Sequence, residues 1–153
     1  MIPFSDIVLM LDETESQERY KLAVQSTVIK ICENIFQSSK ATVRVCIITF
    51  RDYQPNDHSY ANAVRVYEFT SDIRAIRHMV NSLQPFGGGD GPEAQTLALY
   101  NALKASWNED AKKIAILVTD SPPHGIGEQV DDFPRGSPEG RFQALFAYHK
   151  ETC

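Results

Sequence analysis

The chain has 153 residues, 42% of them hydrophobic and 23% charged, which is typical of one globular domain with a buried core. Its net charge of −5 and its 15 scattered Lys and Arg residues argue against nucleic-acid binding, which needs clustered positive charge. The longest apolar run, residues 7–11, is too short to span a membrane, and the first residues lack a secretory-signal pattern. We therefore predict a single domain over residues 1–153, with neither nucleic acid nor membrane as a partner.

The cysteines bear on the compartment. Cys32, Cys46 and Cys153 are odd in number and irregularly spaced, so they do not indicate a disulfide framework. Two of them, Cys32 and Cys46, lie in apolar segments, where a small buried thiol is common. Free thiols favour a reducing compartment, so a cytoplasmic location is predicted. An extracellular location stays open, because a free-thiol domain can also function outside the cell.

The first half of the chain alternates apolar runs with an amphipathic segment. Residues 6–11 form a largely apolar run, which predicts a central strand buried on both faces. Apolar residues then recur at steps of three and four, which predicts a helix over about residues 16–36. Residues 43–50 are rich in β-branched side chains and predict a second strand. After a polar loop, residues 64–69 predict a third strand, paired antiparallel to the second at a sheet edge.

The second half predicts two helices, a strand and a long loop. Ser71 is a suitable N-cap for the first of these helices. The next helix is expected to begin at Pro92, and its predicted apolar face consists of Leu97, Leu99, Ala102 and Leu103. Residues 114–119 predict a fourth strand. A loop over residues 121–140 holds four of the eight prolines, and helical spacing resumes at 142–148.

This order of elements indicates the fold class. Apolar strands of the parallel type alternate with helices, which is typical of a doubly wound α/β fold with three layers. We therefore predict a Rossmann-like sheet that is mostly parallel, with one antiparallel edge strand.

Three loops carry oxygen ligands of the kind that bind divalent cations. Asp12, Thr14 and Ser16 follow the first strand, Asp90 lies in a glycine-rich loop, and Asp120 follows the fourth strand. Because ligands bind at the carboxyl ends of the strands in α/β sheets, these loops are expected to converge. Mg²⁺ takes about six oxygen ligands and tends to keep some waters. We therefore predict a site for Mg²⁺, with Mn²⁺ and Ca²⁺ as alternatives.

These motifs together resemble a known family, the von Willebrand factor type A domain, over most of residues 5–150. An apolar strand ending in Asp12-x-Thr14-x-Ser16, a glycine-rich loop before a helix, and Asp120 after an apolar strand are similar to that family's metal-ion-dependent adhesion site. The resemblance implies a non-enzymatic module that binds a protein partner through a divalent cation. In such a site, an acidic residue of the partner is the expected contact.

Two loops refine this resemblance. Residues 87–93 and 120–125 look most like the subgroup found in intracellular proteins, including some joined to alpha-kinase domains. Complete members of the family continue with a further strand and helix after the position that matches Asp120. The resemblance therefore implies that one or more C-terminal strands are missing from this chain. Either the chain is a fragment of a longer protein, or its sheet is shorter, or a partner chain or a second copy covers the exposed edge. An unpaired strand edge invites association, so a homo-oligomer formed through the sheet edge is expected.

Position 90 departs from the family pattern. The family usually places a threonine hydroxyl there, whereas Asp90 adds a third carboxylate to Asp12 and Asp120. Three carboxylates around a divalent cation leave one excess negative charge. We hypothesise that this site holds its cation without a partner and has a reduced preference for an acidic partner group.

A partner-binding rim is expected around the cation. Glu13 and Glu15 alternate with the ligands in sequence, so their side chains should point toward solvent. The residues predicted for the rim are Glu13, Gly88, Gly89, Ser121 and His124.

Simpler interpretations of the same residues stay open. Asp12 and Asp120 could be ordinary capping carboxylates in loops, and Thr14 and Ser16 could cap the first helix. The glycines at 87–89 could form a phosphate-binding loop, although the lysine of such loops is missing.

The long loop offers a further cluster of polar residues. His124 and Glu128, with Asp131 and Asp132, could form a second cation site or an acid–base pair. A solvated acidic loop is the simpler interpretation.

Two other classes of function remain as alternatives. A metal-dependent hydrolase or phosphotransferase could begin with an aspartate after an apolar strand, but phosphatases of the Asp-x-Asp type need a carboxylate where Thr14 stands. The other alternative is a metal-independent structural interaction domain.

Overall fold

The computed structural model describes residues 3–52, 63–87 and 94–129, and its central element is a four-stranded sheet. Outside these ranges lie Gly88, Gly89, Asp90, Pro92, Asp131, Asp132, Cys153 and the helix predicted at 142–148. The elements in chain order are β1 Phe4–Asp12, a 3₁₀ helix Glu15–Tyr20, α1 Lys21–Ser38, β2 Thr42–Phe50, β3 Val64–Thr70, α2 Ile73–Asn81, α3 Gln95–Lys104 and β4 Ala111–Val118.

The sheet has the strand order β3-β2-β1-β4. Strand β1 runs parallel to β2 and to β4, whereas β3 is antiparallel to β2. The predicted fold class is therefore confirmed: the protein has a mostly parallel α/β sheet with one antiparallel edge strand. In the part of the chain that the structure describes, β4 forms the other edge. Association of two copies through that edge stays a prediction.

The register of β1 brings three loops to the same end of the sheet. Asp12 at the end of β1 lies opposite Phe50 at the end of β2, and Leu11 lies opposite Val118 at the end of β4. The carboxyl ends of all three strands therefore lie together at one end of the sheet, which we call the carboxyl edge. Ligands of parallel sheets characteristically bind there.

Two apolar cores cover the two faces of the sheet. Alternate residues of β1 point to opposite faces, so Ile7, Leu9 and Leu11 pack with the buried side chains of α1 and α2. On the other face, Val8 and Met10 pack with α3 and with residues of β2. Burial of apolar surface on both faces makes β1 the central strand, as its continuous apolar run predicted.

The predicted boundaries of two helices needed correction. A 3₁₀ helix over Glu15–Tyr20 precedes α1, because the first turn is closed by a short-range hydrogen bond from Gln17 N to Thr14 O of 3.1 Å. Helix α2 is capped by Asp72 and not by Ser71. The Asp72 side chain accepts a hydrogen bond from the backbone N–H of Arg74 at 2.9 Å.

The predicted apolar face of α3 was wrong at Leu103, which is 55% exposed. The residues of α3 that face the sheet include Ala98 and Ala102, which are one helical turn apart and almost fully buried. Leu103 follows Ala102 directly and therefore lies on a different side of the helix. Small side chains at the contact let the helix backbone approach the sheet closely.

Both cysteines that the structure describes are free and buried, as predicted. Burial, with a smaller contribution from Glu33, raises the pKa of the Cys32 thiol to about 11. Burial, with a smaller contribution from Glu68, raises the pKa of the Cys46 thiol to about 12. Within the described ranges, no helix combines the length and apolar character needed to cross a membrane.

We expect these two thiols to be inert in the native protein, because a protonated buried thiol is a poor nucleophile. In a Cys153→Ser variant, Ellman's reagent should react slowly at neutral pH and then fully once guanidinium unfolds the chain. Fast reaction of a thiol in the native protein would contradict the burial of Cys32 or Cys46.

An ion pair fixes the end of the sheet that lies opposite the loops described above. The Asp6 side chain is fully buried, and it accepts hydrogen bonds from Arg44 Nε at 2.9 Å, Arg44 Nη2 at 2.6 Å and Asn108 N at 2.7 Å. Burial by itself would raise the pKa of Asp6. The hydrogen bonds from Arg44 and Asn108, with the positive charges of Arg44 and Lys113, outweigh it and lower the pKa below its ordinary value.

We expect Asp6→Asn to lower the free energy of unfolding by about 3 kcal/mol at neutral pH, because Arg44 loses its charged partner. A carboxylate with a lowered pKa stabilises the fold above its unfolded-state pKa, and this contribution disappears as the pH falls through the folded-state value. The difference from wild type should therefore shrink below a pH of about 4. Urea denaturation of both proteins, from neutral pH to below a pH of about 4, measures this difference in the free energy of unfolding.

The exposed Asp110 offers a matched control for this substitution. Asp110→Asn should leave stability within about 0.5 kcal/mol of wild type. A difference between Asp6→Asn and wild type that does not change with pH would contradict the role of the ionised carboxylate.

Candidate metal centre

The carboxylate of Asp12 is the centre of a cluster of hydroxyl groups at the carboxyl edge of the sheet. One oxygen, Oδ1, accepts hydrogen bonds from the Thr14 hydroxyl at 2.6 Å and from Thr14 N at 3.0 Å. The other oxygen, Oδ2, accepts from the Thr119 hydroxyl at 2.7 Å. Asp12 is 8% exposed and Thr14 is 1% exposed, so these two side chains are largely shielded from water.

The cluster extends to the loop after β4. The hydroxyls of Thr14 and Ser16 lie 3.2 Å apart, and the Ser16 hydroxyl donates to Asp120 Oδ1 at 3.3 Å. The structure therefore brings Asp12, Thr14, Ser16 and Asp120 together, although 104 positions separate Ser16 from Asp120. The fifth predicted ligand, Asp90, lies outside the described residues.

This donor set suits a hard divalent cation. It consists of oxygen atoms only, which are the ligands that Mg²⁺, Mn²⁺ and Ca²⁺ prefer. In the ranges that the structure describes, the ion pairs involve other acidic residues, and neither Asp12 nor Asp120 forms one. A buried carboxylate is costly unless it is paired with a positive charge or coordinates a metal.

The described part of the chain contains no cluster of three or more His, Cys, Asp and Glu residues that could hold a metal. Among the described residues, Asp12 and Asp120 are the carboxylates that bond to the hydroxyls of this cluster. Any cation here would therefore depend on the hydroxyls of Thr14 and Ser16, and on the predicted ligand Asp90.

The expectation that Glu13 points toward solvent was wrong. Glu13 is 3% exposed, its Oε1 lies 3.2 Å from Arg51 Nη2, and the same oxygen accepts a hydrogen bond from Gln84 N at 2.9 Å. The side chain turns inward because these two partners lie behind the loop. Glu13 therefore does not form part of a solvent-facing rim, whereas Glu15 is exposed as expected.

His124 is also buried instead of lining the rim. It is 1% exposed, and its Nε2 lies 2.9 Å from Asp52 Oδ1. This contact holds the loop after β4 against the loop after β2. Of the other predicted rim residues, Ser121 is half-buried beside Asp120, and Gly88 and Gly89 lie outside the described residues.

Two residues of the cluster were missed in the sequence. Thr119 directly precedes Asp120, so its place at the end of an apolar strand was a usable signal. Its hydroxyl accepts from Ser121 N at 3.1 Å while it donates to Asp12. Gln95, 6% exposed at the start of α3, donates to the Ser121 carbonyl, and no sequence signal indicated this contact.

An apolar groove of about 340 Å³ adjoins the cluster, between α1 and the end of β4. Tyr20 and Ile31, which line it, are 45% and 43% exposed. Asp120 and Thr119 also line the groove, so it reaches the oxygen cluster. Exposed apolar surface beside polar groups is typical of sites that contact other molecules.

We expect Thr119→Val to lower the free energy of unfolding by about 1 to 2 kcal/mol, because Asp12 Oδ2 and Ser121 N each lose a partner. Urea denaturation in EDTA measures the effect without any cation. Thr42→Val, which removes an exposed hydroxyl at the start of β2, is the control and should change stability little. Equal effects of the two substitutions would contradict the importance of the Thr119 hydroxyl.

Comparison with known proteins identifies the family. The sequence model of the von Willebrand factor type A domain matches residues 7–123. The chain belongs to this family, as the resemblance of its three loops indicated. The assignment to an intracellular subgroup stays a prediction.

One relative is an ariadne-like RING finger protein, as it is named, of Acanthamoeba polyphaga mimivirus. It is 26% identical over 130 residues, which cover 85% of this chain and 12% of that protein. The chain thus corresponds to a small part of this relative.

Several solved structures share the fold. The pilus adhesin SpaC of Lactobacillus rhamnosus GG superposes with a TM-score of 0.61 at 20% identity, over 80% of this chain and 15% of SpaC. The vWF domain of the type V pili tip protein Mfa5 from Porphyromonas gingivalis superposes with a TM-score of 0.56 at 19% identity, over 78% of this chain and 38% of that structure. Proximal thread matrix protein 1 of the mussel byssus superposes with a TM-score of 0.63 at 14% identity, over 97% of this chain and 36% of that structure. At these identities the likeness establishes the fold.

Proposed function

We propose that this chain is a non-enzymatic protein-binding module whose contact with its partner depends on a divalent cation, Mg²⁺ or alternatively Mn²⁺ or Ca²⁺. Asp12, Thr14, Ser16 and Asp120 would hold the cation, together with Asp90. One observation carries the proposal: the buried Asp12 carboxylate is surrounded by hydroxyl groups and forms no ion pair with any residue that the structure describes. A cation would supply the missing positive charge.

The charge of the site bears on its preferred partner. Asp12 and Asp120 would balance a divalent cation, and Asp90 would add one excess negative charge. Such a site should hold its cation in the absence of a partner and should attract a partner's acidic group less strongly than a two-carboxylate site. When bound, the cation would offer the partner a coordination position occupied by water.

Two observations favour a protein as the partner. The structural neighbours include a pilus adhesin and a pilus tip protein. The apolar groove at Tyr20 and Ile31 reaches Asp120, so a partner that contacts the cation could also bury apolar side chains there.

A hydrolytic function is less well supported. Thr14 occupies the position where phosphatases of the Asp-x-Asp type need a second carboxylate. Its hydroxyl is used in the hydrogen bond to Asp12. His124, the histidine nearest in sequence to Asp120, is buried, and its Nε2 contacts Asp52.

Titration calorimetry of the EDTA-stripped protein with Mg²⁺, Mn²⁺ and Ca²⁺ tests the proposal. We expect wild type to bind one cation, and we expect Asp12→Asn and Asp120→Asn to abolish measurable binding, because each removes a charged ligand. Asp110→Asn is the matched control: it also removes a carboxylate, but one at the opposite end of β4, and should bind like wild type.

Circular dichroism should show that all four proteins are folded before the titrations are compared. A folded wild type that binds none of the three cations would overturn the proposal and would leave a metal-independent interaction domain. Binding that survives both Asp12→Asn and Asp120→Asn would place the cation elsewhere in the chain.

A further inference from the structure

A buried charged pair, Glu13 with Arg51, lies beside the proposed cation site. The Glu13 side chain is 3% exposed and that of Arg51 is 21% exposed. A buried ion pair often adds little net stability, because desolvation offsets the attraction between the charges. Its contacts with neighbouring segments therefore indicate its role better than its charge does.

Glu13 connects the loop after β1 to the segment that precedes the glycine-rich loop. Its Oε1 accepts from Gln84 N at 2.9 Å, and its carbonyl accepts from Phe86 N at 3.0 Å. Its own N–H donates to Phe50 O at 2.8 Å, which ties it to the end of β2. Two residues after Glu13, Glu15 N donates to Gly87 O at 2.9 Å. The chain turns at Gly87 with a φ of 79°, a conformation that favours glycine.

Arg51 connects both sides of the same glycine-rich segment. Its Nη2 donates to Gln84 O at 3.1 Å, just before the segment, and also lies against Glu13. Its backbone carbonyl accepts from Ala94 N at 3.2 Å, just after the segment. Residues 84–87 and Ala94, which flank residues 88–93 in sequence, are therefore bonded to residues that adjoin the site.

We propose that Glu13 is a positioning residue for the cation site: with Arg51, it holds the loop that carries Asp12, Thr14 and Ser16 against residues 84–87 and the end of β2. This role rests on the proposed function. Groups that hold metal ligands in place commonly change metal affinity by about 10- to 100-fold when they are removed. Glu13 would thus influence the cation without contacting it.

Mn²⁺ titration of three variants tests this role. Glu13→Ala should weaken Mn²⁺ binding by about tenfold. Glu13→Gln should restore part of the loss, because the amide oxygen can still accept from Gln84 N. Glu15→Ala is the matched control: it removes the same charge from the same loop, but from an exposed side chain whose backbone N–H keeps its bond to Gly87. It should weaken binding by less than about threefold.

Hydrogen exchange in EDTA measures the bonding of the segment without any cation. Glu13→Ala should speed exchange in peptides covering residues 84–87, whereas Glu15→Ala should not. If Glu13→Ala unfolds, Glu13→Gln and Arg51→Gln replace it, and both should show the faster exchange together with weaker Mn²⁺ binding.

Each outcome has a distinct meaning. Equal Mn²⁺ affinities of Glu13→Ala and Glu15→Ala, while Asp12→Asn binds none, would overturn the positioning role and leave the proposed function standing. Unchanged exchange in Glu13→Ala would also overturn that role. A wild type that binds no Mn²⁺ would overturn the proposed function and the positioning role together, and the exchange data would then describe a purely structural contact.

Discussion

The position of β1 at the centre of the sheet is the constraint on which the rest of the structure depends. This strand is hydrogen-bonded to β2 on one side and to β4 on the other, both in parallel, and its residues from Asp6 to Asp12 are buried or nearly so. Because the three strands run in the same direction and end at the same level, the loops that follow them must meet. The oxygen cluster is a consequence of that register, since Asp12 and Asp120 follow two of these strands.

The two aspartates at the ends of β1 illustrate two solutions for a buried carboxylate. Asp6 is paired with the Arg44 guanidinium, which lies over the Phe69 ring. The negative charge of Asp6 is therefore neutralised within the protein. Asp12 is bonded to neutral hydroxyl and amide donors and forms no ion pair within the described ranges. The same strand thus carries a charge that the protein neutralises itself and a charge that suits an external cation. This contrast is the physical basis of the proposed function.

Buried pairs of polar side chains also hold the surrounding loops together. Glu13 with Arg51 joins the loop after β1 to the start of the glycine-rich segment, and His124 with Asp52 joins the loop after β4 to the loop after β2. These pairs explain why Glu13 and His124, which are polar and adjoin the predicted ligands in sequence, were wrongly expected on the surface. In a crowded set of loops, the polar groups of one loop satisfy those of the next, so polarity alone does not indicate exposure.

The sequence by itself determined the fold class and most of the candidate site. Continuous apolar runs predicted the parallel strands, and the polar residues that directly follow them predicted Asp12, Thr14, Ser16 and Asp120, because the hydrophobic period and the polar residues that end an apolar run are local properties of the sequence. The tertiary structure alone decided which side chains turn inward. Asp6 contacts Arg44, 38 positions away, Glu13 contacts Gln84, 71 positions away, and His124 contacts Asp52, 72 positions away. No local pattern encodes such distant pairs. Helix α3 is a further example: Ala98 and Ala102 are buried against the sheet, whereas Leu103 is exposed.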